Sequence, residues 1–169
     1  MKLLRTMLRI SFATLLLALA VNVNAEDKKT TLKYVDALNF RMINKAFSDT
    51  ETPFQRLPKY LKDSVRTDLW NRQQCSSGLG IRFATDSKRV GLRYTLLWDT
   101  HMFHMADTGL KGMDLYILND EGRWEYVNTN RPIADKKTKS CEKIFVENLD
   151  GRMHEYLIYL PLYDGVTKM

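Results

Sequence analysis

Four side chains suited to acid–base or metal chemistry lie close together in one segment of the sequence. They are Asp99, His101, His104 and Asp107. In an extended segment, positions i and i+3 point to opposite faces, so the two histidines do not share one metal site. No third histidine or cysteine lies nearby to complete a zinc ligand set. The pattern favours a structured loop whose polar side chains bind backbone groups or line a surface against a partner domain, and no metal site is predicted.

A nucleophile that such a histidine might activate is not evident. The sequence contains no Gly-Asp-Ser, Gly-x-Ser-x-Gly or Asp-x-x-His motif, and no glycine-rich segment leads into Lys-Ser or Lys-Thr. Hydroxyls lie beside glycines at Cys75–Gly80, but a strand follows there and not a helix whose N-terminus would stabilise an oxyanion. That segment is interpreted as a turn that enters a strand. The sequence therefore predicts no catalytic residue and no cofactor, and a small enzyme that uses His101 or His104 as its base is the weakest hypothesis.

The first 25 residues have the three parts of a secretory signal peptide. Basic residues and no acids occur in Met1–Arg9, an apolar run follows at Ile10–Val21, and small residues end at Ala25. The apolar run is shorter than the roughly 20 residues of a membrane-spanning helix. We therefore expect cleavage after Ala25, a periplasmic or secreted product, and no membrane association of the mature chain.

The charge balance changes once residues 1–25 are removed. The chain of 169 residues has 26 basic and 20 acidic residues. The leader carries three of the basic ones, so the mature chain keeps 23 against 20, a net charge of +3. These lysines and arginines are mixed with acids and do not cluster as a nucleic-acid surface requires. The length allows one ordinary domain, and we expect no nucleic-acid partner.

Two cysteines, Cys75 and Cys141, remain in the mature chain. In an oxidising compartment they are candidates for one disulfide, which would stabilise the fold by roughly 4 kcal/mol in the loop-entropy model. Two buried free thiols are the alternative. The sequence does not decide between them, because a bridge requires the two Cα atoms to lie close together.

Most of the mature chain alternates apolar and polar residues in short runs separated by turns. Six strands are predicted in this region, at 79–84, 90–96, 113–118, 124–129, 141–147 and 154–160, with a short final strand near 166–169. Such short, regularly interrupted strands predict an all-β fold, an antiparallel β-sandwich or jelly roll. The predicted order is a flexible lead-in at 26–33 and one domain at 34–169.

The first third of that domain is less regular. We expect a strand at Ala37–Ile43 and an ordered irregular segment at Thr52–Arg72 with at most one or two helical turns, because Pro58 interrupts the helical spacing. Trp70, Trp98 and Trp124 could stack on sugars, although core positions are the more common role of tryptophan in a sandwich.

Several motifs occur in a familiar order. Gly112–Tyr116, Arg56–Pro58 before it and Tyr159–Val166 after it resemble the GxDLY domain at the N-terminus of bacterial SGNH-hydrolase-type esterases. His101–Gly109 is similar to that family's loop before the motif strand. The resemblance covers about residues 34–166 and implies an exported β-sandwich.

In such esterases a separate catalytic domain follows the sandwich, and it carries the serine, oxyanion and Asp-x-x-His residues. The present chain stops at Met169, so we expect a truncated product in which the partner catalytic domain is missing. The resemblance implies a non-catalytic accessory domain that shapes the substrate entrance of an ester hydrolase. Acylated carbohydrate is the expected substrate, and polysaccharide deacetylation is the expected parent reaction. The residues expected to face the substrate or the partner domain are Arg56, Trp98, Asp99, His101, His104, Asp107 and Asp114. An autonomous carbohydrate-binding module is the alternative.

Overall fold

The computed structural model describes residues 31–169, and the predicted signal peptide lies outside the described residues. The described residues contain two short helices, α1 (Thr67–Gln73) and α2 (Asp107–Lys111), with 3₁₀ turns at Ala37–Asn39 and Lys59–Leu61. The same residues form eight strands: β1 (Arg41–Ile43), β2 (Gly80–Thr85), β3 (Val90–Leu96), β4 (Asp114–Leu118), β5 (Trp124–Thr129), β6 (Ser140–Val146), β7 (His154–Tyr159) and β8 (Val166–Lys168).

The strands form two antiparallel sheets. The larger sheet has the order β1-β2-β7-β4-β5, and the smaller has the order β6-β3-β8. Alternation produces one buried face in each sheet: Leu92, Tyr94 and Leu96 of β3 point into the core, whereas Arg93 between them is exposed. The hydrophobic core draws on both sheets, including Ile158 of the larger and Leu92 of the smaller. The all-β prediction is confirmed, and the jelly-roll connection stays a prediction.

The expected strand at Ala37–Ile43 is wrong in its first half. Residues Ala37–Asn39 form a 3₁₀ turn, and only Arg41–Ile43 pairs with β2. The Asp36 carboxylate accepts a hydrogen bond from the backbone N–H of Leu38 at 2.9 Å, which stabilises the turn locally. The next segment contains more helix than the expected maximum of one or two turns, because a 3₁₀ turn at Lys59–Leu61 is followed by the seven-residue helix α1.

Ordered packing begins two residues before the predicted boundary at residue 34. A Cβ atom at Gly91 of β3 would lie 2.5 Å from Leu32 Cδ1, so the absent side chain leaves room for Leu32. Tyr34 Oη donates a hydrogen bond to Glu142 at 3.0 Å, and the Arg93 guanidinium lies 4.1 Å from the Tyr34 ring centroid. Residues 32–34 therefore lie against the smaller sheet.

Cys75 and Cys141 are both buried free thiols in the structure. Cys75 lies just after α1, whereas Cys141 lies in β6, opposite Tyr94 of β3. Of the two alternatives that the sequence left open, the structure contains the free thiols. Burial raises the pKa of each thiol above its ordinary value.

Within residues 31–169, no helix has the length and apolar character needed to cross a membrane.

Candidate functional site

A buried carboxylate, Asp164, holds the start of the loop that contains the predicted site residues. Its Oδ1 accepts the backbone N–H groups of Trp98 at 3.0 Å and Gly165 at 2.8 Å. Its Oδ2 accepts the N–H of Thr100 at 2.7 Å. Since charged hydrogen bonds to buried groups are among the stronger ones, Asp164 fixes the direction in which the chain leaves β3.

The buried Lys111 side chain contacts both ends of this loop. Its side chain is only 1% exposed, yet it carries an ammonium group. Lys111 Nζ donates to the Asp99 carboxylate and lies 3.4 Å from Asp107 Oδ2. It also lies 3.2 Å from His101 Nε2. These four residues form the Lys111 cluster, which joins both ends of the loop through a buried charge and its partners.

The contacts of His101 indicate which ring nitrogen carries its hydrogen. Lysine can only donate a hydrogen bond, so His101 Nε2 accepts from Lys111 through its lone pair. His101 Nδ1 then donates to Asp107 Oδ1 at 3.0 Å. In this arrangement His101 bridges the Asp107 carboxylate and the Lys111 ammonium. The imidazole thus positions the loop and is paired with a carboxylate and a lysine.

The structure brings three of the predicted site residues together and separates the others. Asp99, His101 and Asp107 all surround the Lys111 ammonium, a cation already present within the cluster. Within the described range, no group of three or more His, Cys, Asp or Glu side chains is arranged to hold a metal ion.

The remaining candidates lie elsewhere. Arg56 Nη2 donates to the backbone carbonyl of Arg72 at 2.7 Å, beside α1. Asp114 lies on β4 and accepts a hydrogen bond from Thr129 Oγ1 at 2.5 Å across to β5. His104 lies at the loop tip, where its ring makes an edge contact with the ring of Phe103. The contacts of Arg56 and Asp114 therefore belong to other parts of the fold.

The loop presents a fully exposed aromatic side chain. Met102 and Met105 form an isolated antiparallel bridge, which closes a tight turn with Phe103 and His104 at its tip. The Phe103 side chain is fully exposed. Three further apolar side chains are exposed on this loop and on the adjoining segment 162–163, which is joined to α2 by the Tyr163 N–H to Leu110 carbonyl bond of 2.8 Å. We call the exposed set the end patch: Trp98, Phe103, Leu162 and Tyr163.

The core position expected for the tryptophans applies to one of the three. Trp70 is buried in α1, whereas Trp98 is exposed in the end patch. Trp124 is half-buried on β5, where the Arg82 guanidinium lies 5.6 Å from its ring centroid.

Comparison with known proteins agrees with this architecture. A family model described as GxDLY, the N-terminus of SGNH-hydrolase-type esterases, matches residues 32–169. The chain belongs to the GxDLY family. The solved structure of a Bacteroides ovatus protein, named as a GDSL-like lipase, is 27% identical with a TM-score of 0.73. The match covers 80% of this chain and 39% of that one, so the chain spans about two fifths of that relative's length. No curated protein matches the sequence.

The geometry explains the glycine of the GxDLY motif. Gly112 ends α2, and its N–H donates to the Thr108 carbonyl at 3.2 Å. A Cβ atom at Gly112 would lie only 2.3 Å from that same carbonyl oxygen, so only glycine fits without a shift of the backbone. Met113, the variable position, is fully buried, and its N–H donates to Asn130 Oδ1 at 2.6 Å.

The last three motif residues lie on β4 and alternate between the two faces of the sheet. Leu115 is fully buried in the core. Asp114 and Tyr116 point to the opposite face, where Asp114 bonds Thr129 and Tyr116 packs against Tyr126. Within five residues, the motif therefore ends helix α2 at Gly112, places Leu115 in the core, and places Asp114 and Tyr116 on the outer face of the sheet.

Lys111 and Asp164, which organise the loop, are not among the site residues predicted from the sequence. The spacing of Asp107 and Lys111, i and i+4, is a signal of the short helix α2 that could have been recognised. Asp164 lies within the Tyr159–Val166 motif, but its contacts could not be predicted, because its partners Trp98 and Thr100 lie more than sixty positions away in the sequence.

Proposed function

We propose that this GxDLY domain is an exported, non-catalytic accessory domain of an SGNH-type esterase. It docks on the catalytic domain through the end patch and shapes the substrate entrance with the loop of residues 98–109. The parent reaction is carboxylic ester hydrolysis, and an acylated polysaccharide is the proposed substrate. Residues 1–25 direct export to the periplasm or the exterior and are removed.

One observation carries the proposal: the exposed Phe103 side chain lies at the tip of a loop that is bonded to the buried side chains of Lys111 and Asp164. Fully exposed aromatic side chains are enriched at protein interfaces, where they supply much of the binding energy. The loop that carries Phe103 is anchored near its two ends by the Lys111 cluster and by Asp164. Preorganisation of this kind favours docking, because little conformational entropy is lost when the partner binds.

The pairing of two of the three histidines supports a non-catalytic role. In the part of the chain that the structure describes, His101 bonds Asp107 and Lys111, and His154 bonds Asp150. Neither imidazole is paired with a hydroxyl or thiol. Ser76, beside the glycines, is fully buried, and its Oγ donates to the Phe54 carbonyl and accepts the Val166 N–H. A nucleophile requires access and an adjacent base, and Ser76 has neither arrangement.

The proposal is tested by kinetics in a longer relative such as the Bacteroides ovatus protein, of which the match covers 39%. Alanine replacements are made in the loop that superposes on residues 98–109, at the positions matching Phe103, His101 and His104. We expect the KM for an acetylated polysaccharide to rise at least fivefold, while hydrolysis of a small acyl ester changes less than twofold. Unchanged KM values together with unchanged thermal stability would refute docking through this loop.

A second measurement addresses the chain itself. The purified chain is assayed with a short-chain acyl ester, and no turnover above the buffer rate is expected. Turnover that survives repurification and disappears on His101→Ala would overturn the accessory role and indicate an active site within this domain.

A further inference from the structure

The larger sheet has a second face, opposite the core, that carries a row of aromatic rings. The antiparallel register aligns Tyr116 of β4 with Tyr126 of β5, and Tyr159 of β7 lies diagonally across from Tyr116. Leu157 of β7 lies on the same outer face. Its side chain and that of Ile43 both lie close to the Cα atom of Gly80, where a larger residue would have its Cβ atom. We call this surface the tyrosine face and define it by Tyr116, Tyr126, Tyr159, Trp124 and Arg82.

The rings of the tyrosine face are held in place by one another. Tyr116 makes edge contacts with Tyr126 and with Tyr159, each with ring centroids 5.8 Å apart and ring planes at 75° and 88°. The three rings cross three neighbouring strands, a width of roughly 10 Å at the usual strand spacing. Tyr126 is 58% exposed, and the other two rings are half-buried. The rings therefore form a rigid, accessible row.

Polar side chains lie beside these rings. Tyr126 Oη and Thr129 Oγ1 lie 2.8 Å apart, and Thr129 in turn donates to Asp114. On the other side, Arg82 forms a two-bond ion pair with Glu155 and lies over the Trp124 ring. These groups are oriented by their partners and still have unused hydrogen-bonding capacity, since a carboxylate accepts several bonds and a guanidinium donates five.

This combination fits a sugar chain better than a protein partner. Aspartate and glutamate are depleted in protein interfaces, whereas the tyrosine face carries Asp114 and Glu155 beside its rings. A pyranose ring has an apolar face of C–H groups and a rim of hydroxyls. The C–H groups pack on tyrosine and tryptophan rings, and the hydroxyls bond to fixed carboxylate and guanidinium groups.

We propose that the tyrosine face is a binding site for a neutral polysaccharide, which lies across β7, β4 and β5. This inference deepens the proposed function, since it supplies a surface that would hold the polymer near an esterase active site. No residue of the tyrosine face belongs to the end patch, although Tyr159 lies only three positions before Leu162. The two proposals can therefore fail independently.

The test is affinity electrophoresis of the purified chain in native gels that contain soluble xylan, glucomannan, mixed-linkage β-glucan or galactomannan. We expect retardation by at least one polymer, and calorimetry with that polymer then gives the dissociation constant. Tyr126→Ala should raise this constant at least tenfold, because it removes the most exposed ring while leaving the core intact. Tyr60→Ala, at an exposed tyrosine of the turn Lys59–Leu61, is the matched control and should leave binding unchanged.

Three outcomes would overturn the proposal. They are no retardation in any of the four gels, equal losses in the Tyr126 and Tyr60 variants, or full binding by a Tyr126→Ala variant whose circular dichroism is native. If the replacement that matches Tyr126→Ala in the longer relative weakens the association of its domains, the face would instead be assigned to a protein partner. The end-patch variants are read out by KM in the relative, whereas Tyr126→Ala is read out by gel retardation of this chain, so a failure of end-patch docking is distinguishable from a failure of this site.

Discussion

Removal of one charge from the Lys111 cluster should destabilise the domain strongly. The change is Asp99→Asn, which keeps the size of the side chain. Asp99 has a φ of 58°, in the left-handed region that asparagine tolerates about as well as aspartate, so the backbone is not strained by the change. What changes is the partner of the Lys111 ammonium, which is 1% exposed.

The expected magnitude depends on what remains around the lysine. Removing one partner of a buried ion pair costs about 3–5 kcal/mol, because the other charge stays buried. Asp107 remains 3.4 Å from Lys111 but is 40% exposed and partly screened, so it compensates weakly. We expect Asp99→Asn to lower the free energy of unfolding by about 3 kcal/mol, which corresponds to a fall in Tm of roughly 6–12 °C.

Removal of the other partner of this ion pair should destabilise the domain less. Lys111→Met fills the same space without a charge and leaves Asp99, 23% exposed, and Asp107 within reach of water. We expect a loss of about 2 kcal/mol, at the lower end of the range for a broken pair. The double variant should be no less stable than Asp99→Asn alone, since a removed pair leaves no unpaired buried charge.

The measurement is urea unfolding followed by circular dichroism for both single variants and the double variant. Lys59→Met is the control, because Lys59 and Asp49 form an exposed ion pair with an N–O distance of 2.8 Å. The unfolding midpoint of this control variant should equal that of the unmodified chain. Additive losses in the double variant, or an Asp99→Asn midpoint equal to that of the unmodified chain, would refute the idea that the cluster acts as one buried unit.

Three further predictions concern the residues around the loop and the thiols. Asp164→Asn should cost about 2–3 kcal/mol and speed amide exchange at Thr100, because the new NH₂ group faces a backbone N–H; unchanged exchange would contradict this. Gly112→Ala should cost about 2 kcal/mol through its clash with a backbone oxygen, whereas Gly109→Ala, with contacts of 3.4 Å, should be tolerated; equal effects would be inconsistent with the geometry. Since burial raises the pKa of both cysteine thiols, Ellman's reagent at pH 8 should react slowly with the folded chain and should release two equivalents in denaturant; fewer would indicate a disulfide.

The strands were predictable wherever one face of a strand enters the core. In β3, Leu92, Tyr94 and Leu96 alternate with polar residues, and the predicted bounds agree with the structure. The segment at Ala37 has no such alternation, and there the local Asp36 bond favours a turn over an extended chain. Period-two patterning therefore identifies strands with one buried face, and it says little about segments organised by side-chain-to-backbone bonds.

The candidate site was predictable in part for a related reason. Asp99, His101 and Asp107 were recognised by residue type, and the structure places them together. Their common partner was missed, because a lysine in a polar segment is normally solvated and nothing in the local sequence indicates burial. The anchoring carboxylate was missed because its bonds to the loop are formed only when the last strand folds beside β3.

The buried charges beneath an exposed ring argue for a role in positioning. Buried ion pairs are a weak source of stability, and apolar residues of the same volume often stabilise a fold as well or better. An apolar base under the loop would, however, allow many loop conformations, whereas Lys111 and Asp164 bond specific atoms at both ends of it. We therefore infer that this charged base serves to hold Phe103 and His104 in one orientation. A loop that made no contact with a partner would gain nothing from that constraint.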